Sequence, residues 1–194
     1  FNGDDWRIGD TYNTSIGQYG FQVTPIEMVR AVAALANGGT LVTPSITEPL
    51  DSETFAKLSF EEEDLQVVRE GMRMVVTEGG GQLLNSLPFS VAAKTGTTND
   101  NRDAWVMGYT PTIAVGAWSG NSDNSKMTKG GSAVSGPLWH AFMAEALKTM
   151  PNEQFEEPNQ PENYSSLKPV LRGQWQGGQS YFIDTVSGGL ATEF

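Results

Sequence analysis

The sequence predicts an α+β fold in which an antiparallel β-sheet is flanked by helices. Two segments, near residues 24 and 59, combine a capping-box spacing with apolar residues at helical intervals, which is typical of amphipathic helices. Between residues 89 and 118, three short runs rich in Val, Ala, Trp, Tyr and Thr follow one another with tight turns between them. Because short turns join antiparallel strands, these runs predict a single antiparallel sheet.

Composition limits the functional classes. With 194 residues, of which 38% are hydrophobic and 18% charged, the chain is long enough for one globular domain. Its formal net charge of −11 and its 12 scattered Lys and Arg residues argue against a nucleic-acid surface, which needs clustered cations. The absence of cysteine excludes disulfides and thiolate chemistry. No apolar run is long enough to span a membrane and the first residues lack a signal-peptide pattern, so we expect any anchor to lie outside this chain.

The first helix is predicted from Thr24, whose spacing to Glu27 is that of a capping box, with Pro25 in the first helical position. The Asn-Gly pair at residues 37–38 should end it. The apolar residues predicted to form its buried face are Ile26, Val29, Ala33 and Ala36. A short strand is predicted at residues 40–42, and residues 48–57 have no period and predict a loop.

The second helix is predicted to begin at Ser59, which forms a capping-box spacing with Glu62, and to run to about Thr77. Residues 61–64 are all acidic, which suits the positive end of a helix; with no histidine nearby we read them as a solvated helix start and not as a metal site. The predicted buried stripe consists of Leu65, Val68, Met72 and Val75.

The predicted strands span residues 89–97, 104–110 and 112–118. A Gly- and Ser-rich loop at 119–136 should lead to Pro137, which opens a last helix that packs through Leu138, Phe142 and Met143. Residues 1–150 are predicted to form one structural unit. Residues 151–194 are predicted to be a Pro-rich polar linker followed by a short C-terminal segment with a strand at 181–183.

Several ordered segments resemble one enzyme family. The central one is Lys94-Thr95-Gly96-Thr97, and the others are Gly9-Asp10-Thr11, Ser15-Ile16-Gly17-Gln18, Asp103-Ala104-Trp105 and Gly108-Tyr109-Thr110-Pro111. Together they resemble the C-terminal part of a penicillin-binding protein transpeptidase domain over residues 9–149. The Gly-Tyr-Thr-Pro segment is similar to the class A bifunctional type, whereas the two segments at residues 9–18 are also similar to monofunctional class B enzymes. The resemblance implies an incomplete fold of the penicillin-binding protein and serine β-lactamase kind.

The resemblance also implies a reaction and its residues. In this family a serine attacks the D-Ala-D-Ala carbonyl of a peptidoglycan stem peptide, an amine takes the acyl group, and β-lactams acylate the same serine. Lys94 and Thr97 are the implied catalytic residues, and Thr95, Gly96 and Thr97 the implied substrate-binding residues. A lysine can attract the substrate carboxylate, the threonine hydroxyls can bind it, and a glycine lets the substrate backbone approach. No metal or cofactor is expected.

Two other motifs of the family, SxxK and SxN, should precede Lys94, and they are absent there. The chain does contain Ser165-Ser166-Leu167-Lys168 and a Ser- and Asn-rich stretch at 119–124, but both follow Lys94 and read as chance matches in a polar tail and a loop. We therefore expect the chain alone to be inactive and to need the N-terminal part of the same protein. That protein should be extracytoplasmic and attached to the cell membrane through an anchor outside this chain.

Two alternatives stay open: a D,D-carboxypeptidase or serine β-lactamase, in which water replaces the amine, and a non-catalytic β-lactam-sensing module. Other polar and aromatic residues are placed outside the site. Gln18 is read as part of a structural segment before the first helix, and His140 as an ordinary helix residue. Asn99 and Asp100 are read as turn residues, and the Trp105 and Trp118 side chains as sheet packing.

Overall fold

The computed structural model describes residues 5–18, 21–47 and 56–156. The helices in this part are α1 Ile8–Ser15, α2 Pro25–Ala36, α3 Glu62–Thr77 and α4 Gly131–Ala146. The strands are β1 Thr40–Leu41, β2 Ala56–Lys57, β3 Ala92–Thr97, β4 Asp103–Tyr109 and β5 Ala114–Gly120. Single 3-10 turns occur at Gln82–Ser86, Asn99–Asn101 and Leu147–Thr149. The predicted strand at 181–183 and the Ser165–Lys168 motif lie outside the described residues.

The predicted antiparallel sheet is confirmed, with the strand order β3-β4-β5. Lys94 lies opposite Met107 in the register of β3 and β4. The third strand begins at Ala114 and not at residue 112 as predicted, because the preceding residues form a turn in which the Thr110 hydroxyl accepts hydrogen bonds from the N–H groups of Thr112 and Ile113. Such side-chain acceptance is the usual alternative to strand pairing for a threonine.

Both faces of the sheet are covered, because neighbouring strand residues point in opposite directions. On β4, Val106 joins a cluster with Trp139 and Met143 of α4, whereas Met107 joins a second cluster with Val32 of α2. These side chains are at most 8% exposed. The arrangement is therefore helix, sheet, helix, and α3 contributes to both clusters, through Met72 to one and Val76 to the other.

Helix α4 differs from its prediction in start and orientation. It begins at Gly131, so Pro137 lies inside it and does not open it. The buried side chains include Trp139 and Met143, whereas Leu138 and Phe142, both predicted to pack, are 54% and 55% exposed. Because α4 is apolar around most of its circumference, its own sequence does not determine which side faces the sheet.

The two earlier helices confirm the predicted type but not every predicted contact. In α2 the Thr24 capping box is present, but the buried residues are Val32 and Ala34, and Ile26 is 54% exposed. Helix α3 begins at Glu62 with Glu61 as its N-cap, so the predicted start at Ser59 was wrong. Its buried residues are Leu65, Met72 and Val76, and Val68 is 42% exposed.

Arg69, the residue after Val68, connects α3 to α2. Its Nε donates to the carbonyl of Leu35 at 3.2 Å, and its guanidinium pairs with Glu62 at 2.7 Å.

The predicted loop at 48–57 and the predicted linker also differ from the structure. Residues 56–57 pair with β1, so the loop ends earlier than predicted; residues 48–55 are not described. Residues 151–156 have no regular structure, yet Phe155 packs edge-on against the ring of Tyr109 with centroids 5.6 Å apart, so the predicted linker starts on the core.

Tyr109 makes the stability of the fold sensitive to high pH. Its side chain is 1% exposed, its hydroxyl has no hydrogen-bond partner among the described residues, and burial raises its pKa to about 12. Because the folded state holds this proton more tightly than the unfolded state, the stabilisation is complete below about pH 10 and is lost as pH rises toward 12. At pH 11 the expected loss is on the order of 1 kcal/mol.

We expect Tyr109→Phe to remove this alkaline loss while changing stability at pH 7 by less than about 1 kcal/mol. Urea unfolding of the 194-residue chain at pH 7 and pH 11 measures both effects. Tyr12→Phe is the matched control, since Tyr12 is 65% exposed. An alkaline loss that is the same in Tyr109→Phe and in the unsubstituted chain would contradict this assignment.

Candidate functional site

Strand β3 has a free edge that carries the predicted site residues. Within the described sheet β3 pairs with β4 alone. The Thr95 carbonyl accepts from Lys94 Nζ at 2.7 Å, and the Thr97 carbonyl accepts from Gln18 Nε2 at 3.3 Å, so both carbonyls point away from β4. Because the N–H and C=O of one strand residue point to the same side, the N–H groups of Thr95 and Thr97 lie on this edge too.

The ammonium group of Lys94 lies over this edge. The side chain is exposed, and its Nζ contacts the Thr95 carbonyl. Among the described residues no carboxylate forms an ion pair with Lys94. An ammonium without a carboxylate partner beside strand N–H groups can attract an anionic ligand to the edge.

The Thr97 side chain connects the edge to α4. Its hydroxyl accepts a hydrogen bond from the N–H of Gly131 at 2.8 Å, so it satisfies one of the free donors in the first turn of the helix. The hydroxyl keeps its own proton and can still donate it to a ligand. The N-terminus of the 16-residue helix α4, which carries partial positive charge, therefore lies beside the strand.

Glycines allow this close contact between helix and strand. A Cβ at Gly131 would lie 2.4 Å from the carbonyl oxygen of Gly96, and one at Gly130 would lie 2.7 Å from Thr97 Oγ1. On Gly96 a Cβ would meet Trp105 Cβ at 3.2 Å. The position of the β3 edge therefore depends on residues 130 and 131, which sequence reasoning placed in a loop and left out of the site.

The turn after β3 is held by polar contacts. Asp100 has a positive φ of 64°, and its carboxylate pairs with Lys126 at 2.9 Å, which lowers its pKa. Thr98 Oγ1 donates to the Asp103 carboxylate and accepts from the Asp103 N–H, both at 2.8 Å. These contacts agree with the reading of Asn99 and Asp100 as turn residues, since both lie in the 3-10 turn between the strands.

The remaining candidate residues are distributed as follows. Trp105 packs against the second cluster, and its ring centroid lies 6.1 Å from that of Trp118. Trp118 is 43% exposed, and its indole N–H donates to the Asp103 carboxylate at 3.0 Å.

His140 lies in α4 and contacts Ser86 Oγ at 2.9 Å. Ser119 belongs to β5 and not to the predicted loop, and its hydroxyl accepts from Ser135 Oγ at 3.0 Å.

Sequence reasoning missed Gln18 as a neighbour of the site. It lies two residues beyond the Ile16 C-cap of a helix, α1, that was not predicted, and its side chain reaches Thr97 across 79 positions of the chain. The available signal was the Gly17-Gln18 pair, because a glycine that ends a helix places the next residue in a defined position.

The described residues contain neither a candidate metal site nor a candidate membrane span. No group of three or more His, Cys, Asp or Glu side chains in this part of the chain is arranged to hold a metal ion. No helix within residues 5–18, 21–47 and 56–156 is long and apolar enough to cross a membrane. A surface cavity of about 460 Å³ is lined by residues 36–38 at the end of α2, by α3, by Pro111 and by segment 153–156, and none of the four predicted site residues lines it.

Comparison with known families and sequences gives a consistent result. The family model described as the penicillin-binding protein transpeptidase domain matches residues 1–144. Penicillin-binding protein 1A of Aquifex aeolicus is 32% identical over 163 residues, which cover 78% of this chain and 22% of that protein. Penicillin-binding protein 2D of Bacillus subtilis is 32% identical over 154 residues, which cover 70% of this chain and 22% of that protein. The chain thus spans about a fifth of the length of these relatives.

Solved structures share the fold. A peptidoglycan glycosyltransferase from Burkholderia ambifaria superposes with a TM-score of 0.61 at 25% identity, over 77% of this chain and 48% of that one. The penicillin-binding protein 2 of Helicobacter pylori gives a TM-score of 0.59 at 28% identity, over 75% of this chain and 27% of that one. The antiparallel sheet of this chain and its flanking helices therefore correspond to part of the α+β fold of these two structures.

Proposed function

The chain belongs to the penicillin-binding protein transpeptidase family, and on this premise we propose that it supplies the substrate-binding strand of a serine D,D-transpeptidase. The observation that carries the proposal is the free edge of β3, where Lys94 and the backbone groups of Thr95 and Thr97 are grouped. An extended peptide can add to such an edge as a further strand, with its backbone paired to the protein.

The proposed reaction is acyl transfer. A serine outside this chain attacks the D-Ala-D-Ala carbonyl of a stem peptide, the C–N bond breaks, and D-alanine leaves with a proton. An amine of a second stem peptide then attacks the acyl-enzyme, which releases the serine. A β-lactam acylates the same serine when its ring amide bond opens, and no small leaving group departs.

Each residue of β3 has a proposed role. Lys94 provides positive potential for the carboxylate of the ligand and for proton transfer, and the hydroxyls of Thr95 and Thr97 donate to that carboxylate. Gly96 keeps the strand free of a side chain where the ligand backbone approaches. The N–H of Thr97, on the free edge, donates to the oxyanion of the tetrahedral intermediate, a contact whose loss typically costs about 3 kcal/mol of barrier.

The N-terminus of α4 supports the same roles. Because Gly131 donates to the Thr97 hydroxyl, the positive end of the helix dipole lies behind the proposed oxyanion and carboxylate donors. The net charge of −11 is therefore compatible with an anionic ligand, since the local charges at the edge decide binding.

The subclass, the location and the ligands of the parent protein are also proposed. We assign the chain to a class A bifunctional protein, on the Gly-Tyr-Thr-Pro segment at residues 108–111. The N-terminal part of the same protein would supply the serine, its activating lysine and the membrane anchor, with the catalytic domain outside the cytoplasm. Peptidoglycan stem peptides and β-lactams are the proposed ligands.

Fluorescent penicillin tests the proposal. We expect the full-length protein to become covalently labelled and the 194-residue chain to stay unlabelled, because the SxxK serine is absent before Lys94. In-gel fluorescence after denaturation measures this, and full-length protein pretreated with unlabelled benzylpenicillin is the control. Stoichiometric labelling of the 194-residue chain at Ser165 would contradict the assignment of the missing nucleophile.

A second assay separates the transpeptidase from the carboxypeptidase reading. We would incubate the full-length protein with a D-Ala-D-Ala stem peptide and an amine acceptor and analyse the products by mass spectrometry. Cross-linked product supports the proposal, whereas release of D-alanine with hydrolysed peptide alone supports a carboxypeptidase.

A further inference from the structure

The end of α1 holds Gln18 in a defined position beside β3. Gly17 has a positive φ of 76°, which glycine adopts without strain. Its N–H donates to the Thr14 carbonyl at 2.9 Å, and the N–H of Gln18 donates to the Asn13 carbonyl at 3.0 Å. These two bonds form a Schellman motif, so the backbone of Gln18 is fixed by the helix end.

From this position the side chain reaches the free edge of the strand. Gln18 Nε2 donates to the Thr97 carbonyl at 3.3 Å, and the residue is half-buried. A carboxamide carries one carbonyl acceptor and N–H donors in a plane, as a peptide group does. The Gln18 amide therefore occupies the place that a backbone N–H of an added strand would take on the Thr97 acceptor.

We propose that the Gln18 side chain competes with ligands for the Thr97 carbonyl and is displaced from it by the amide N–H of a bound ligand. This inference rests on the proposed function, since it requires that ligands add to β3 as a strand. The displacing group is the amide N–H next to the acyl group of the ligand that is attacked. Ligands without that amide leave the contact between Gln18 and Thr97 in place.

The size of the effect follows from the exchange of one hydrogen bond for another. A ligand that bonds to Thr97 must first break the contact with Gln18, which at 3.3 Å is a long one. Removing the Gln18 donor should therefore raise the acylation rate constant of amide-bearing ligands by about two- to tenfold. Ligands without the amide should be unaffected.

The test compares two β-lactams on the full-length protein: benzylpenicillin, whose acylamino side chain carries the amide N–H, and a penam with the same ring but no acylamino group. We expect Gln18→Ala to raise the ratio of their second-order acylation rate constants by about two- to tenfold. Gln22→Ala is the matched control, because Gln22 is an exposed glutamine after the same segment, and it should leave the ratio unchanged. Gln18→Met, which keeps the length of the side chain without the donor, should behave as Gln18→Ala.

A ratio that is unchanged or lowered in both Gln18 variants, with acylation still measurable, would overturn this inference and leave the proposed function intact. Failure of the unsubstituted full-length protein to react with either β-lactam would overturn both. If Gln18→Ala does not fold, as judged by its thermal unfolding, the ratio measured for Gln18→Met decides.

Discussion

Lys94→Ala is expected to slow the acylation of the full-length protein by benzylpenicillin by about 100-fold or more, the size typical for the loss of a group that assists proton transfer or stabilises charge in the transition state. The Lys94 ammonium lies on the free edge of β3, within 2.7 Å of the Thr95 carbonyl. No carboxylate of the described residues forms an ion pair with it. Its charge is thus available to a ligand carboxylate.

Stopped-flow or quenched labelling with fluorescent penicillin measures the rate. Lys148→Ala is the matched control, since Lys148 pairs with Glu145 at the end of α4 and both side chains are exposed. Lys94→Arg keeps the charge but replaces a compact ammonium by a planar group, so we expect only partial activity. A rate for Lys94→Ala within about threefold of the unsubstituted protein would remove Lys94 from the proposed site, since assistance to proton transfer is worth at least 10²-fold.

Gly131→Ala is expected to lower the free energy of unfolding by about 1–3 kcal/mol and to reduce acylation. The added Cβ would lie 2.4 Å from the Gly96 carbonyl oxygen, a backbone atom that can move only if β3 or α4 moves. Either movement changes the hydrogen bond between Gly131 and Thr97 and displaces the proposed oxyanion donor.

Gly136→Ala provides the control for Gly131→Ala within the same helix. Its Cβ would meet only the flexible end of Leu83, at 3.5 Å, and alanine has the higher helix propensity. We expect it to be neutral or slightly stabilising. Urea unfolding and acylation rates measure both variants, and equal effects at positions 131 and 136 would show that the contact with Gly96 is unimportant.

Local patterns predicted the elements well where the determining contacts are local. The Thr24–Glu27 capping box was predicted correctly because its donors and acceptors are three residues apart. The three short runs rich in Val, Ala, Trp, Tyr and Thr between residues 89 and 118, with their short turns, predicted the antiparallel sheet for a similar reason. The same spacing at Ser59 and Glu62 misled, because Glu61 is the N-cap of α3.

Orientation and boundaries depended on partners distant in sequence. Leu138 and Phe142 are as apolar as Trp139 and Met143, but the position of the sheet decides which pair is buried. The first turn of α4 is capped by Thr97, 34 positions earlier in the chain, so no local signal marked Gly131 as the helix start.

The sequence by itself determined the family and the α+β class, and it predicted Lys94–Thr97 as the candidate site, because these depend on the identity and order of residues. Only the tertiary structure decided which backbone groups of that segment are free. The pairing of β3 with β4 and the contacts of the Thr95 and Thr97 carbonyls direct the polar groups of both residues outward. The physical reason is that the strand paired with β3 decides which of its backbone groups stay free. The other partners of Thr97, which are Gln18 and Gly131, are distant in sequence and are brought to it only by folding.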